Sequence, residues 1–313
     1  MPLETTDAPS YLPRPARRRA LFALTACGSG TSAATSADSA LPAAGTDVVS
    51  GVQQDAAAVA LLPAAVRQKG AVTVGSAVGA PPTAYIPAGS NQPAGFDIDI
   101  ADAVGKVLGL RIDRQQAAFE TILPALGSGK FDVGTGNFGV TTERLKTIDF
   151  VTYIDDGQGF AVKAGSSIKP VKAITDLCGL TIGTGAGTTF QATLAAHAKD
   201  CTAAGKKPYT VQAGSDTASI LLGLQQGRYD VLMSTINGIR YQAKVNPQIS
   251  FLSAYHRLDV GFAFAKGSPL TKAFQAAVND LIKDGVYAKL LAKWGISDSA
   301  IAQSRISPPE LAN

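Results

Sequence analysis

The stretch GSGKFDVGTGNFGVTTERLKTIDF, residues 127–150, decides how the rest of the chain is read. Residues 130–133 have the pattern of a short strand entered from a glycine turn, and Thr141-Thr142-Glu143-Arg144 opens a helix. A cation in a first helical turn gains nothing from the helix dipole, so Arg144 needs another partner. Two are on offer. A small bound carboxylate could take a bidentate grip from the guanidinium, or Arg144 could form a surface ion pair with Glu143 or Asp149.

The same run contains Gly134-x-Gly136-x-x-Gly139, the letter pattern of a dinucleotide-binding turn after a strand. A Rossmann unit needs a crossover helix long enough to return the chain to a parallel strand, and only residues 141–147 separate these glycines from the next apolar run. The glycine cluster at 183–188 has neither that spacing nor a phosphate-binding lysine. Nucleotide binding is set aside.

Composition gives 313 residues, 46% hydrophobic, enough to bury a large core. Arg14, Arg17, Arg18 and Arg19 outweigh Glu4 and Asp7 by two, so half of the net charge of +4 sits in the first 26 residues. The remainder is nearly neutral and has no basic stripe interleaved with aromatics, which argues against nucleic acid as a partner.

Arg17-Arg18-Arg19, the apolar segment at 20–24 and Thr25-Ala26-Cys27 follow the order of an export signal, too short to span a bilayer. Leu24-Thr25-Ala26-Cys27-Gly28 resembles the bacterial lipobox, which makes Cys27 a lipid-modified first residue of the mature chain. The adjacent arginines leave twin-arginine export open beside the general route. Residues 27–60, rich in Ala, Ser, Thr and Gly, read as a tether, with structure beginning near Leu61. Cys178 and Cys201 remain as a pair in an exported chain, either disulfide-bonded or two buried thiols. Neither His197 nor His256 stands at ligand spacing from a cysteine, so no metal and no cofactor is expected.

From residue 71 the pattern alternates strand and helix: strands at 72–74, 111–113 and 131–133, helices at 97–108 and 121–126. A second series repeats the first in kind, with strands at 180–182, 209–211 and 230–233 and helices at 189–198 and 217–226. Residues 157–163 and 253–265 join the two series, and helices at 269–283 and 286–294 follow. The expected class is α/β, two lobes joined by hinge crossings around a central cleft, with ligand loops beyond the carboxyl ends of the strands.

Several motifs occur in order: Gly95-Phe96-Asp97-Ile98-Asp99, Ile122-Leu123-Pro124-Ala125-Leu126, Thr141-x-Glu143-Arg144 with Ile148-Asp149-Phe150, Asp176-Leu177-Cys178-Gly179, Gly187-Thr188-Thr189, Gly227-Arg228-Tyr229-Asp230 and Asp284-Gly285-x-Tyr287. In this the chain resembles the bacterial extracellular solute-binding proteins of family 3, the polar amino acid-binding lipoproteins of ABC importers. The likeness covers roughly residues 62–296. It implies the periplasmic-binding-protein fold, with lobe 1 at 61–158 and 259–313 and lobe 2 at 159–258. It also implies that Arg144 takes a ligand α-carboxylate, helped by backbone amides of Asn137, Phe138 and Gly139 and by the turn at Thr188 and Thr189, with Phe119 against the ligand side chain. A monomer, tethered to the outer face of the cell membrane and docking on a permease, is the implied assembly.

Three departures bear on the ligand. Where the family places an acid for the α-ammonium this chain has Ser234-Thr235; Gly139 replaces a hydroxyl residue; and the aromatic near Pro81-Pro82 is missing, with Tyr85 a little later. Thr235 and Asn237 are then the polar candidates in lobe 2. Either Asp155, Asp156 or Asp216 takes the amine, or the ligand is a modified amino acid: opine-like, N-substituted or cyclic. The competing class is an exported dehydratase or lyase on the same scaffold, which would need a general acid or base in the cleft.

Overall fold

The computed structural model describes residues 46–312; the export signal, Cys27 and the first part of the expected tether lie outside the described residues. In chain order the elements are α1 (Ala56–Ala60), α2 (Ala64–Lys69), β1 (Ala71–Ser76), α3 (Phe96–Leu108), β2 (Arg111–Gln116), α4 (Phe119–Gly127), β3 (Val133–Gly139) and β4 (Ile148–Lys163). Then come β5 (Thr181–Gly185), α5 (Thr189–Ala196), α6 (Asp200–Ala203), β6 (Thr210–Gly214), α7 (Thr217–Gln225), β7 (Val231–Thr235), α8 (Ile236–Val245), β8 (Ile249–Ala265), α9 (Thr271–Lys283) and α10 (Val286–Trp294).

Glycine sets many of these boundaries. Helix α2 stops at Gly70 and α3 at Gly109, both left-handed, the conformation that ends a helix without a Cβ clash. Polar caps start the lobe 2 helices: Thr188 accepts from Gln191 N at α5, Asp216 from Ser219 N at α7 and Thr235 from Gly238 N at α8.

Strand order is β2-β1-β3-β8-β4-β7-β5-β6. β1 is parallel to β2 and β3, β5 is parallel to β6 and β7, and the antiparallel pair β4 and β8 runs between the two groups. Each parallel group has its own core. Val72, Val74, Ile100, Val104, Phe262, Phe264 and Phe274 pack together in lobe 1, with a satellite of Ile122, Leu126, Phe138 and Phe150; Phe160, Ile182, Leu194, Val231 and Met233 pack in lobe 2, beside Ile220, Leu224 and Ile239. The segments expected as connections at 157–163 and 253–265 are parts of the two long strands that run between the groups. The ladder shifts register near Gln158, and Gly157 (φ 145°) leaves no room for a side chain, since a Cβ there would stand 2.1 Å from the His256 carbonyl.

The structure departs from sequence expectation in two further places. Residues 46–60 are not a free tether: Ala58 is buried, Val48, Val49 and Val52 pack on the lobe 1 core, and Asp55 N donates to the Val107 carbonyl at 3.0 Å. Ala58 is the one small residue of α1 that is buried, where the helix meets α3 and α9, and the valines supply the rest of the packing. The helix expected from Thr141 is a single 3₁₀ turn, Arg144–Lys146, because β4 begins at Ile148. Gly134, Gly136 and Gly139 lie inside β3, where a Cβ at Gly134 would stand 2.8 Å from Ile122, so these glycines serve packing, not a phosphate turn.

Cys178 and Cys201 are bonded, with their Cα atoms 5.5 Å apart. The bond ties the turn before β5 to α6 within lobe 2. Among the described residues no helix is long and apolar enough to cross a membrane, and no cluster of three or more His, Cys, Asp or Glu side chains is arranged to hold a metal ion.

Candidate functional site

The loops after β1, β2 and β3 face those after β5, β6 and β7, and between them lies a cavity of about 210 Å³. Its lobe 1 wall includes Ala77, Pro81, Phe119, Glu120, Asn137 and Arg144; its lobe 2 wall includes Thr188, Thr189, Ser234 and Thr235, and it deepens toward apolar Ile220, Leu232 and Ile239. The lobes touch across it. Arg144 Nη2 donates to the Gly187 carbonyl at 3.3 Å, and Ser215 Oγ donates to Glu120 Oε1 at 2.8 Å.

Arg144 is held by contacts that leave its charge uncompensated. Phe119 and Phe138 stack at 4.7 Å between centroids, and the guanidinium carbon stands 5.9 and 5.8 Å from their two rings. Nη1 donates to the Gly139 carbonyl at 3.0 Å, and the Thr141 hydroxyl accepts from the backbone N of Arg144. Neither acid that could have neutralised it does so: Glu143 pairs with Lys146, and Asp149 with Lys266 at 2.8 Å. Among the described residues no carboxylate lies within ion-pair distance of Arg144. Desolvation pushes its pKa down to about 10, still leaving it charged near neutrality.

The other expected residues divide. Phe119, Asn137, Thr188, Thr189 and Thr235 line the cavity. The Thr188 hydroxyl is committed within lobe 2, donating to the Gly185 carbonyl at 2.7 Å and accepting from Gln191 N, as the Thr235 hydroxyl is to Gly238 N. What α5 can still offer a ligand is its first-turn N–H groups, which a helix leaves without internal partners. Phe138 is fully buried and supports Arg144 from behind, and Gly139 contributes its carbonyl to the same side chain.

Tyr85 and Asn237 stand outside the cavity. Tyr85 meets Trp294 edge-on at 6.3 Å, drawn to the lobe 1 core. Asn237 Nδ2 donates to Ser299 Oγ at 2.8 Å while its backbone N donates to Asp156 Oδ1 at 3.1 Å. The acids expected to replace the missing amine partner are occupied elsewhere: Asp216 caps α7, Asp155 lies 3.7 Å from Arg257, and Asp156 bridges Asn137 and Asn237 at the lobe crossing.

Two residues of the site carry features the sequence did not mark. Asn137 adopts a left-handed backbone (φ 56°); its N donates to Asp97 Oδ2 and its Nδ2 to Asp156 Oδ2, each at 2.9 Å, which leaves Oδ1 buried without a partner. Burial raises both carboxyls to about 6, against hydrogen bonds that favour the charged forms. Glu120 carries the single carboxylate among the described residues lining the cavity, and its Oε2 is likewise buried and unpartnered.

The sequence profile of the bacterial extracellular solute-binding proteins, family 3, matches residues 72–297. The chain belongs to this family. As a family 3 solute-binding protein it is 30% identical over 263 residues to the arginine-binding protein ArgT of Corynebacterium glutamicum, covering 80% of this chain and 83% of that one. Among solved structures it is similar to an ancestral arginine-binding protein bound to arginine (31% identity, TM-score 0.65, 72% of this chain and 98% of that one). It is also similar to an ancestral amino acid-binding protein described as a precursor of cyclohexadienyl dehydratase (27% identity, TM-score 0.65, 74% and 97%). The two-lobed architecture of this family 3 protein is that of periplasmic amino acid-binding proteins.

Proposed function

We propose that the protein captures an amino acid or an amino-acid-derived carboxylate between its lobes and delivers it to the permease of an ABC importer. The observation that carries this reading is Arg144: a desolvated guanidinium at the lobe interface with two aromatic rings and two carbonyls around it and no acid. A half-buried cation left without a counter-charge is costly, and a ligand carboxylate removes the cost. Arg144, the N-terminal turn of α5 at Thr188 and Thr189, and the backbone of Asn137 form the carboxylate end of the site in this proposal, with Phe119 against the ligand body. Contacts from both lobes make the closed form the ligand-bound form, because only that form offers all of them.

Anchoring through a lipid on Cys27 at the outer face of the membrane belongs to the same proposal, as does release of the ligand unchanged. The names of the relatives make arginine the first probe, and Ser234 in place of the family's acid brings N-substituted and cyclic amino acids into the panel. The test is thermal stabilisation by these compounds in wild type and Arg144→Ala. A saturating ligand at a hundred times its Kd raises stability by about 2.7 kcal/mol. A shift present in wild type and absent in the variant supports the reading. A shift indifferent to Arg144 overturns it, and recovery of a chemically altered ligand points instead to the dehydratase or lyase class.

A further inference from the structure

Among the described residues the cavity presents one cation, Arg144, and one anion, Glu120, and they do not pair with each other. Arg144 and Glu120 both flank Gly187, Arg144 through its bond to the Gly187 carbonyl and Glu120 through its Cβ, which would stand 2.8 Å from a Cβ on that glycine. Among the described residues no ion pair joins the two side chains, and no other charged side chain pairs with either one. Glu120 is oriented from the other lobe. Ser215 Oγ occupies Oε1 at 2.8 Å, so the second oxygen, Oε2, is fixed in place, desolvated and without a donor.

A desolvated carboxylate oxygen without a partner is expensive, more so than a neutral acceptor. The structure shows the same deficit at Asn137: Asp156 takes its Nδ2, which sets the amide orientation and leaves Oδ1 as a buried acceptor. Lobe 1 therefore has two acceptors at the cavity that await N–H donors. Among the described residues, lobe 2 lines the cavity with no carboxylate, and Ser234 and Thr235 offer only hydroxyls there.

We propose that Glu120 is the anionic partner of a cationic nitrogen on the ligand, so that recognition of positive charge sits at the start of α4 in lobe 1, with Asn137 Oδ1 as a second, neutral acceptor. This assignment rests on the reading of Arg144 as the carboxylate anchor. It narrows the ligand class to carboxylates that also carry an ammonium or guanidinium group. A carboxylate without such a group leaves Oε2 buried and unpaired in the closed cleft, and the site discriminates against it for that reason.

Matched probes test this. Isothermal titration compares L-arginine with L-citrulline, in which the side-chain cation is neutral, and with 5-guanidinopentanoate, which lacks the α-ammonium; N-acetyl-L-arginine and octopine complete the set. Wild type is expected to prefer one cationic member over its neutral or deaminated counterpart by roughly ten- to hundredfold, the usual worth of a hydrogen bond to a charged group. In Glu120→Gln that preference shrinks to within about threefold, while the less charged member still binds and still requires Arg144. Glu120→Lys, at the same half-exposed helix start, inverts the preference. Unfolding temperature and far-UV circular dichroism establish that each variant is folded. A preference unchanged in Glu120→Gln overturns the assignment, as does equal loss of both members of a pair, which would make Glu120 a latch between lobes. Wild-type binding that ignores Arg144, or no binding of any carboxylate probe, overturns the anchor reading and this assignment with it.

Discussion

Arg144 crosses the cleft to Gly187: its Nη2 donates to the lobe 2 carbonyl at 3.3 Å while Nη1 holds the Gly139 carbonyl of its own lobe at 3.0 Å. The two carbonyls compensate the guanidinium only partly, which makes the residue a source of ligand affinity and a cost to the empty protein. Arg144→Ala is expected to lose roughly 2–5 kcal/mol of binding to any carboxylate ligand, the usual effect of truncating one member of a buried charge pair. In the absence of ligand the same variant is expected to unfold at the wild-type temperature or above it, because a desolvated charge has been removed. Arg144→Lys keeps the charge but not the planar fork and falls between the two in affinity. Calorimetric titration and unfolding scans with and without ligand separate these effects. A ligand-free Arg144→Ala protein much less stable than wild type would show that the residue is structural.

Gly187 offers a test of closure itself. It sits in the left-handed region (φ 69°), and a Cβ there would stand 2.8 Å from Glu120 Cβ across the cleft. Gly187→Ala is expected to cost roughly 1–2 kcal/mol for the backbone conformation. The cross-cleft clash is relieved only by opening, so binding should weaken at least about tenfold beyond that cost. Small-angle scattering reads the outcome: with a ligand that compacts wild type, the variant should keep the larger radius of gyration. Compaction equal to wild type would refute the steric argument.

Much of this was legible in the sequence, for identifiable reasons. Strand and helix alternation placed β1, β2 and β5 to β7 to within a few residues, because short apolar runs bounded by Gly70, Gly109, Gly179 and Gly227 have few other ways to fold; β3, at Val133–Gly139, shares only Val133 with the strand expected at 131–133, because its glycines look like a turn until the sheet packs around them. Arg144 was singled out because a cation expected in a first helical turn gains nothing from the helix dipole and asks for another partner. Tyr85 and Asn237 lie outside the cavity because their orientation depends on neighbours distant in sequence, Trp294 for one and Ser299 for the other. Glu120 escaped notice for the same reason: a first-turn acid is ordinary until Ser215, 95 positions away, caps one of its oxygens.

The bond between Cys178 and Cys201 closes a segment with a sequence separation of 23 within lobe 2. On the chain-entropy view such a loop is worth roughly 3 kcal/mol. Reduction, or the double replacement by alanine, is expected to lower the urea midpoint accordingly, while ligand affinity changes little, since neither cysteine lines the cavity. Equal midpoints for oxidised and reduced protein would show that the bond contributes nothing to stability.

Asp97 and Asp156 give a pH dependence whose sign can be worked out. Burial raises both from 3.8 to about 6 in the folded protein, so between those values the folded state holds more protons than the unfolded state. Stability contributed by these groups therefore rises as pH falls from about 7 toward about 4, by on the order of 3 kcal/mol for each at most, and less for the two together because their charges repel. His256 works against them: burial lowers its pKa, so acidification through 6.5 destabilises the fold. The useful observable is the slope of unfolding free energy against pH between about 7 and about 5. Asp156→Asn is expected to reduce the stabilisation seen on acidification, whatever it does to stability at a single pH. A slope identical to wild type would remove Asp156 as its source.

Residues 46–60 supply the last test, since a segment that looked like a tether turns out to be docked. Val48, Val49 and Val52 pack on the lobe 1 core, Ala58 is buried, and Asp55 both caps α1 through Oδ1 and bonds the Val107 carbonyl through its N. An ordered segment must gain more from burial than it loses in chain entropy, so removing it must lower stability. A fragment beginning at Leu61 is expected to be less stable than one beginning at Thr46 by on the order of 1–3 kcal/mol, with a smaller dependence of free energy on urea because less surface is buried. Ligand affinity should be the same in both fragments, because none of residues 46–60 lines the cavity. Equal stability would mean that the docked segment is held at no net gain; unequal affinity would mean that its removal disturbs the cleft through α3, the helix that carries Asp97 beneath Asn137.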